Sequence, residues 1–228
     1  MQKPLSHKIL DQQFWLTPER TMFWESEKSL VVSDLHFGKT GHFRKSGIAV
    51  PASVYKEDLQ RLIVQIQYFQ PRELIVVGDM FHSRANRELD LFLKWRADLS
   101  DMTFRLIRGN HDVLQEEWYE HAGIQLSPQT LTRNQFHFVH DITDHLNGKA
   151  GYSVPRPRGG SYFFSGHMHP GIRLQGAGKQ SLCFPCFYFG KKYAVLPAFS
   201  RFSGTAMIYP ETEEQVFAIV NQDLIQIR

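Results

Sequence analysis

Cysteine is scarce in this sequence of 228 residues: Cys183 and Cys186 are the only two, too few for the disulfide scaffold of a secreted domain. No apolar run approaches the roughly 18 residues that a membrane helix requires. The densest runs are short, such as Leu74-Ile75-Val76-Val77, so a helical membrane protein is excluded. The opening MQKPLSHKILDQQFW lacks the apolar stretch of a signal peptide, which makes a cytoplasmic location the default expectation. Net charge is also slight. Twenty-six Lys and Arg against 23 Asp and Glu leave +3, too little to identify a polyanionic partner by charge alone. What is present in quantity is aromatic surface: 18 Phe, 8 Tyr and 4 Trp are ample to offset chain entropy, which excludes a disordered chain. The 11 histidines are the unusual count, because histidine is the commonest metal ligand and the usual proton shuttle near neutral pH.

Short apolar runs end abruptly in polar motifs. Leu30-Val31-Val32 precedes Asp34, Leu74 to Val77 precedes Asp79, and Phe104 to Ile107 precedes Asn110. Phe136 to Val139 precedes His140, and Tyr162 to Phe164 precedes His167. Runs so short, rich in Val, Ile and Phe, read as buried strands, with each motif at a strand's C-terminal end. Between the first two, residues Pro51 to Gln70 carry Tyr55, Leu59, Leu62, Ile63, Ile66 and Phe69 on one helical stripe, with Pro71 where the helix must have stopped. A second helix is expected over Asn86 to Leu99, with Leu89, Phe92, Leu93 and Leu99 facing inward. Strand and helix alternate as in an α/β domain, whose ligands collect at the carboxyl ends of the strands. Beyond Gly166, the segments 184–189, 193–199, 205–209, 215–220 and 224–227 read as closely spaced antiparallel strands. With no linker before them, residues 1–228 read as one domain with a second sheet packed on the first. The composition of Asn147 to Gly160, GKAGYSVPRPRGG in its main part, reads as a basic loop.

Asp34 and His36, Asp79, Asn110 with His111 and Asp112, His140, and His167 with His169 form one set of metal-ligand types. On extended chain, Asp34 and His36 face the same way because side chains alternate with period two, and the same arithmetic pairs His167 with His169. Burying these carboxylates and imidazoles side by side is costly unless cations compensate them. Two divalent cations suit the mixed oxygen and nitrogen set. One such residue at a strand end is more often a turn former, but five motifs of the right type at five strand ends are not explained that way.

The ordered set Asp34-Leu35-His36, Gly78-Asp79-Met80-Phe81-His82, Gly109-Asn110-His111-Asp112, His140 and Gly166-His167-Met168-His169 resembles the calcineurin-like metallophosphoesterases over about Ser29 to Pro170. The resemblance implies a four-layer αββα sandwich, two packed mixed sheets flanked by helices. It assigns Asp34, His36 and His169 to one metal, Asn110, His140 and His167 to the other, and Asp79 as the bridge. A hydroxide held between the metals would attack the phosphorus in line, with His111 as general acid and Asp112 orienting it. Of the two histidines near that strand, His140 is chosen over His137 because it ends the strand and His137 lies inside it.

A narrower resemblance, to the bacterial ligase-associated DNA damage response endonucleases, rests on Asp34-Leu35-His36-Phe37-Gly38-Lys39, His42-Phe43-Arg44, Gly47-Ile48, Val50-Pro51, Pro185-Cys186-Phe187, Leu196-Pro197-Ala198-Phe199 and Phe202-Ser203-Gly204. It implies DNA as substrate, manganese as the metal with iron or zinc accepted by the same ligands, and functional association with a DNA ligase, a helicase and an exonuclease. Lys39, Arg44 and Lys45 are the candidate phosphate contacts. The segment Asp141 to Gly160 is longer and more basic than that subfamily's pattern. A small nucleotide or phosphomonoester is the alternative substrate. A non-catalytic scaffold of this fold would have lost ligands or the acid histidine, and this chain keeps them all. Cys183 and Cys186 make one CxxC, which without a second pair reads as two strand thiols and not a zinc site. Phe37 and Phe43 are candidates for stacking on a base or for simple packing.

Overall fold

The computed structural model describes residues 2–39, 53–82, 87–146, 160–176 and 180–227. The first sheet has seven strands in chain order: β1 (Leu5–Ile9), β2 (Gln12–Leu16), β3 (Met22–Trp24), β4 (Ser29–Ser33), β5 (Glu73–Val77), β6 (Thr103–Ile107) and β7 (Ile124–Ser127). β1 to β4 form an antiparallel meander, and β4 to β7 run parallel, crossing through α1 (Ser53–Phe69), α2 (Arg87–Ala97) and α3 (Glu116–His121).

The second sheet contains β8 (Thr130–Arg133), β9 (Phe136–Val139), β10 (Tyr162–Ser165), β11 (Pro170–Gln175), β12 (Ser181–Phe189), β13 (Tyr193–Val195), β14 (Ala206–Met207), β15 (Gln215–Val220) and β16 (Asp223–Gln226). Its main path runs β14-β11-β12-β13-β10-β9-β8, with β15 and β16 joining through β12. A short helix, α4 (Ile142–Leu146), follows β9.

Burial along β4, β5 and β6 follows the strand period. Leu30, Val32, Leu74, Val76, Phe104 and Leu106 pack with Tyr55, Leu62 and Ile66 of α1, Leu89 and Phe92 of α2, and Tyr119 of α3. Their neighbours Val31, Ile75, Val77 and Ile107 face the second sheet, where they meet Phe136, Phe138, Phe164, Phe187 and Phe217. Both faces of these strands are covered, which is why they read as continuous apolar runs. Trp24 is wholly buried between the sheets, its ring 5.0 Å from that of Phe136 in an edge-on contact. Burying a side chain of this size is worth about 1.5 to 3 kcal/mol. The outer face of the second sheet packs Val139, Phe163, Tyr188 and Val195 with Ile142 of α4. The layers are helix, sheet, sheet, helix, as the motif resemblance implies.

Several details depart from the sequence reading. The five motif-bearing strands are not neighbours in one sheet: β4, β5 and β6 lie in the first and β9 and β10 in the second, with β7 and β8 between them in the chain. The late strands are antiparallel where β12 meets β13 and β15, but β13 pairs parallel with β10 and β14 parallel with β11. The hairpin after β12 turns β13 back beside β10, so their shared direction follows from the connection. Helix α2 ends at Ala97, earlier than Leu99: Asp98 and Leu99 N–H bond only three residues back, to Trp95 O and Arg96 O, and the Arg96 guanidinium caps the carbonyls of Leu99 and Met102. The start of α1 expected at Pro51, and the residues of the basic loop 147–159, lie outside the described residues.

Candidate metal centre

Strands β4, β5 and β6 end together because they pair in register, Ser33 beside Val77 and Val77 beside Ile107. β9 and β10 likewise pair Val139 with Ser165. The motifs that follow therefore meet at one edge of the sheet-on-sheet interface.

Two groups of ligand atoms result, each within 4.8 Å of one another: Asp34, His36 and His169 in one, Asp79, His140 and His167 in the other. Asn110 joins the second, its Oδ1 3.0 Å from His140 Nε2.

The convergence does not arise from extended chain. Asp34, His36, Asp79, His167 and His169 all have positive φ, between 48° and 63°. The extended-chain premise fails for both pairs, since the chain leaves the strand conformation at the first ligand of each, although Asp34 and His36 still fall in one group as expected. His167 and His169 accordingly serve different groups. Left-handed backbone at non-glycine residues costs about 1 to 3 kcal/mol each and persists only where the surroundings impose it. Here the backbone bonds do so: Asp34 N–H donates to Gly78 O, His36 N–H to Asp79 O, and His167 N–H to Asp34 Oδ2.

Histidine orientation repeats a pattern. His140 Nδ1 donates to Val77 O at 3.4 Å and His169 Nδ1 to Gly204 O at 3.2 Å. In each ring Nε2 then points inward, to 3.5 Å from Asp79 Oδ1 and 3.3 Å from Asp34 Oδ1 respectively. A carbonyl partner on the outer nitrogen is how ligating imidazoles are held.

Electrostatics favour the ligand forms. His36 is 5% exposed, its two ring nitrogens lack hydrogen-bond partners, and burial, aided by the Lys39 charge, drives its pKa down to about 3. The ring is neutral at physiological pH. Asp34 is fully buried; burial opposes ionisation, but its contact with His169, backed by the positive charge that His140 and His169 can carry, outweighs it and holds the carboxyl below its usual range. Its Oδ1 has no hydrogen-bond partner. Buried lone pairs without donors are costly, and divalent cations satisfy this donor set of carboxylate, amide and imidazole. The residues fit two such ions.

Asp112 does something other than the role the resemblance suggests. Its two carboxylate oxygens accept the N–H groups of Phe81 and Gly109, both at 2.9 Å. It clamps the two motif turns together; the His111 Nε2 lies 3.9 Å from Asp79 Oδ2, and the His82 ring lies 4.2 Å from the His111 ring. Burial pushes the Asp112 carboxyl up to about 7, against the two N–H bonds. Asp79 Oδ1 also accepts the His111 N–H at 2.9 Å, so the turn that presents His111 is built on the expected bridging carboxylate.

Glycine is required where these side chains crowd the backbone. A Cβ on Gly78, whose φ is +77°, would stand 1.8 Å from His140 Nδ1. A Cβ on Gly109 would stand 2.2 Å from Asp79 Oδ1, with no positive φ to complicate the substitution. Gly109→Ala should therefore displace Asp79 by about an ångström and lower phosphodiester turnover about 100-fold, the cost of a misplacement of that size. Steady-state rates beside an unchanged circular dichroism spectrum check it.

Sequence reading overlooked Asp141 and Ser165. Asp141 Oδ2 lies 3.7 Å from His167 Nε2, while His167 Nδ1 is 3.2 Å from His140 Nε2, so the carboxylate orients that ring. Ser165 Oγ donates to His140 O and accepts from Ile142 N–H, bracing the turn that carries His140. The available signals were an acid directly after the lone histidine and a hydroxyl at the end of an otherwise apolar strand.

The remaining assignments fall as follows. His137 is 4% exposed on β9, bonded to Thr132 Oγ1. Phe37 is buried against Tyr55, Phe81 and Phe92 and is core. Lys39 stands close enough to Asp34 and Asp79 to feel both charges, although burial is the larger influence and lowers its pKa. Arg44, Lys45 and Phe43 lie outside the described residues. Cys183 is exposed and Cys186 buried on β12, and neither joins a ligand cluster among the described residues.

Comparison with known proteins agrees with this geometry. A model of the calcineurin-like phosphoesterases matches residues 28–174. No curated protein matches. Among solved structures, a Pseudomonas putida nuclease, MPE, is similar in fold with a TM-score of 0.77 at 25% identity, over 97% of this chain and 100% of that one.

Proposed function

This chain belongs to the calcineurin-like phosphoesterase family, and on that premise we propose that it is a dimetal DNA endonuclease. The observation that carries the proposal is the paired ligand groups at the sheet edge, within a fold shared along nearly its whole length with a nuclease.

Asp34, His36 and His169 would hold one ion, Asn110, His140 and His167 the other, and Asp79 would reach both. Divalent ions at such a site supply an activated water and neutralise phosphoryl oxygens. The chain's own groups do the rest. His111, 44% exposed at its side chain, faces solvent beside Asp79 and would protonate the departing alkoxide. Asp112 and Gly109 hold the turn that aims it. Among the described residues, the exposed edges of His111 and His167 leave the centre open on one side, as an extended polymer requires. Lys39 adds positive charge beside the reacting phosphate, where flanking phosphates of a polyanion need neutralising.

Manganese is the metal we assign, by the subfamily resemblance. That resemblance also extends the proposal to functional association with a DNA ligase, helicase and exonuclease, for which co-purification is the direct test.

Closed circles can be opened only by internal cleavage, so the deciding assay offers plasmid and single-stranded circles with manganese, iron or zinc, beside a nucleotide and an aryl phosphomonoester. Nicking or linearisation supports the endonuclease. Turnover confined to the small substrates would replace it with a nucleotide phosphatase or phosphodiesterase.

Neutralising Lys39, Arg44 and Lys45 together should weaken DNA binding and reduce its salt slope by roughly one unit per lost phosphate contact. Hydrolysis of a small aryl phosphodiester should stay nearly intact. Equal loss on both substrates would assign these residues to the fold or the metal site.

A further inference from the structure

Three arginines converge behind the segment 198–200. Arg20 Nη1 donates to the carbonyls of Ala198 at 3.0 Å and Ser200 at 2.8 Å, and Arg61 Nη2 donates to Phe199 O at 2.6 Å. From its other edge the segment donates Phe199 N–H to Ser33 O and Ser200 N–H to Asp34 O. It thus stands between the arginines and the turn that carries Asp34. Arg201 follows directly, with Nη2 3.4 Å from Glu19 Oε2.

Ion pairs engage these arginines on one side only. Arg61 lies 3.3 Å from Asp58 and 3.6 Å from Glu19, so among the described residues the three guanidinium groups form ion pairs with only two carboxylates. Arg20, Arg61 and Arg201 line a cavity of about 360 Å³ together with Asn221 and Gln222, and no carboxylate among the described residues lines it. Glu19 lines instead a neighbouring cavity that shares Arg61 and Arg201 with this one. The Arg61 side chain is only 10% exposed, and its Nε is buried with no hydrogen-bond partner. Burial first, then repulsion from Arg201 and Arg20, lowers its pKa to about 10. The group remains charged at physiological pH.

A buried guanidinium donor without an acceptor is costly, and like charges gathered on one wall repel. Both costs are relieved by an anion carrying several oxygen acceptors. Guanidinium forks match tetrahedral and planar oxyanions, and amide N–H groups add neutral donors. We propose that the cavity lined by Arg20, Arg61 and Arg201 is a binding site for a phosphate-class oxyanion, separate from the metal centre. The site lies next to the backbone that supports Asp34, so an anion here sits beside the machinery without touching its ligands. Two sources share this chemistry: free phosphate or a nucleotide, and a backbone phosphate of a nucleic acid.

Arg201 and Gln222 suit a test because both are exposed, the Arg201 side chain by 51%. Arg201→Gln removes a charge, and Gln222→Glu places an opposing one in the wall. The full chain loaded with manganese is titrated calorimetrically with sodium phosphate, phosphate binding at the metals being common to all three proteins. Both variants should lose at least about tenfold in affinity for a phosphate that the wild type binds, the scale of one charge-assisted contact. A second titration uses a single-stranded oligonucleotide. If it displaces the phosphate and also weakens in both variants, the natural occupant is a backbone phosphate. If its affinity holds while that for phosphate falls, the occupant is free phosphate or a nucleotide. A phosphate titration unchanged from wild type in either variant overturns the proposal.

Discussion

Asp79→Asn should reduce phosphodiester hydrolysis by at least about 1000-fold, because it removes several kcal/mol of charge stabilisation at a dimetal centre, and 1.36 kcal/mol is a factor of ten. The physical case rests on how much is built on this one carboxylate. It is 2% exposed, stands 3.5 Å from His140 Nε2, groups with His140 and His167, and accepts the His111 N–H. An amide keeps the size but carries half the acceptor capacity and no charge. Metal content should fall from two equivalents to one or fewer per chain by elemental analysis. In wild-type crystals soaked with manganese, anomalous peaks about 3.5 to 4 Å apart are expected on either side of the carboxylate. A variant that keeps two ions and its activity would remove Asp79 from the bridging position.

His111→Ala should leave both ions bound yet slow DNA cleavage about 100- to 10,000-fold, the range of general acid catalysis. The residue ties to the centre through its backbone N–H, which alanine retains, and not through a ligand group of its own. Its ring, 3.9 Å from Asp79 Oδ2 and 44% exposed, is accessible to a substrate at the centre. An aryl diester with a nitrophenolate leaving group departs without a proton, so its defect should be far smaller. Equal loss on both substrates would show that the imidazole positions the phosphate, and loss of metal would show that it is a ligand.

Alternating strands and helices, the helical stripe from Tyr55 to Phe69 and the polar motifs at strand ends were all readable in the sequence. Each is a local pattern: period two, period 3.6, and a change of polarity where a buried strand meets solvent. Residue type was likewise sufficient to propose metal chemistry, since buried aspartates and histidines need cations wherever they come together. The N-terminal strands β1 to β3 escaped because sequences such as SHKI and QQFW carry too little apolar weight to stand out.

What only the tertiary structure decided is which groups meet. Spacing alone placed His167 with His169 and Asp112 beside His111. The left-handed backbone at five ligand positions instead sends those two histidines to different groups. Main-chain donors from Phe81 and Gly109 claim Asp112, and Asp141 orients His167. The arginine cavity joins residues as distant as Arg20, Arg61 and Arg201. Sequence periodicity carries the direction of a side chain only while the chain keeps one regular conformation. At the strand ends it does not, and there contacts across more than a hundred residues set the geometry, through hydrogen bonds such as His167 N–H to Asp34 that no local pattern encodes.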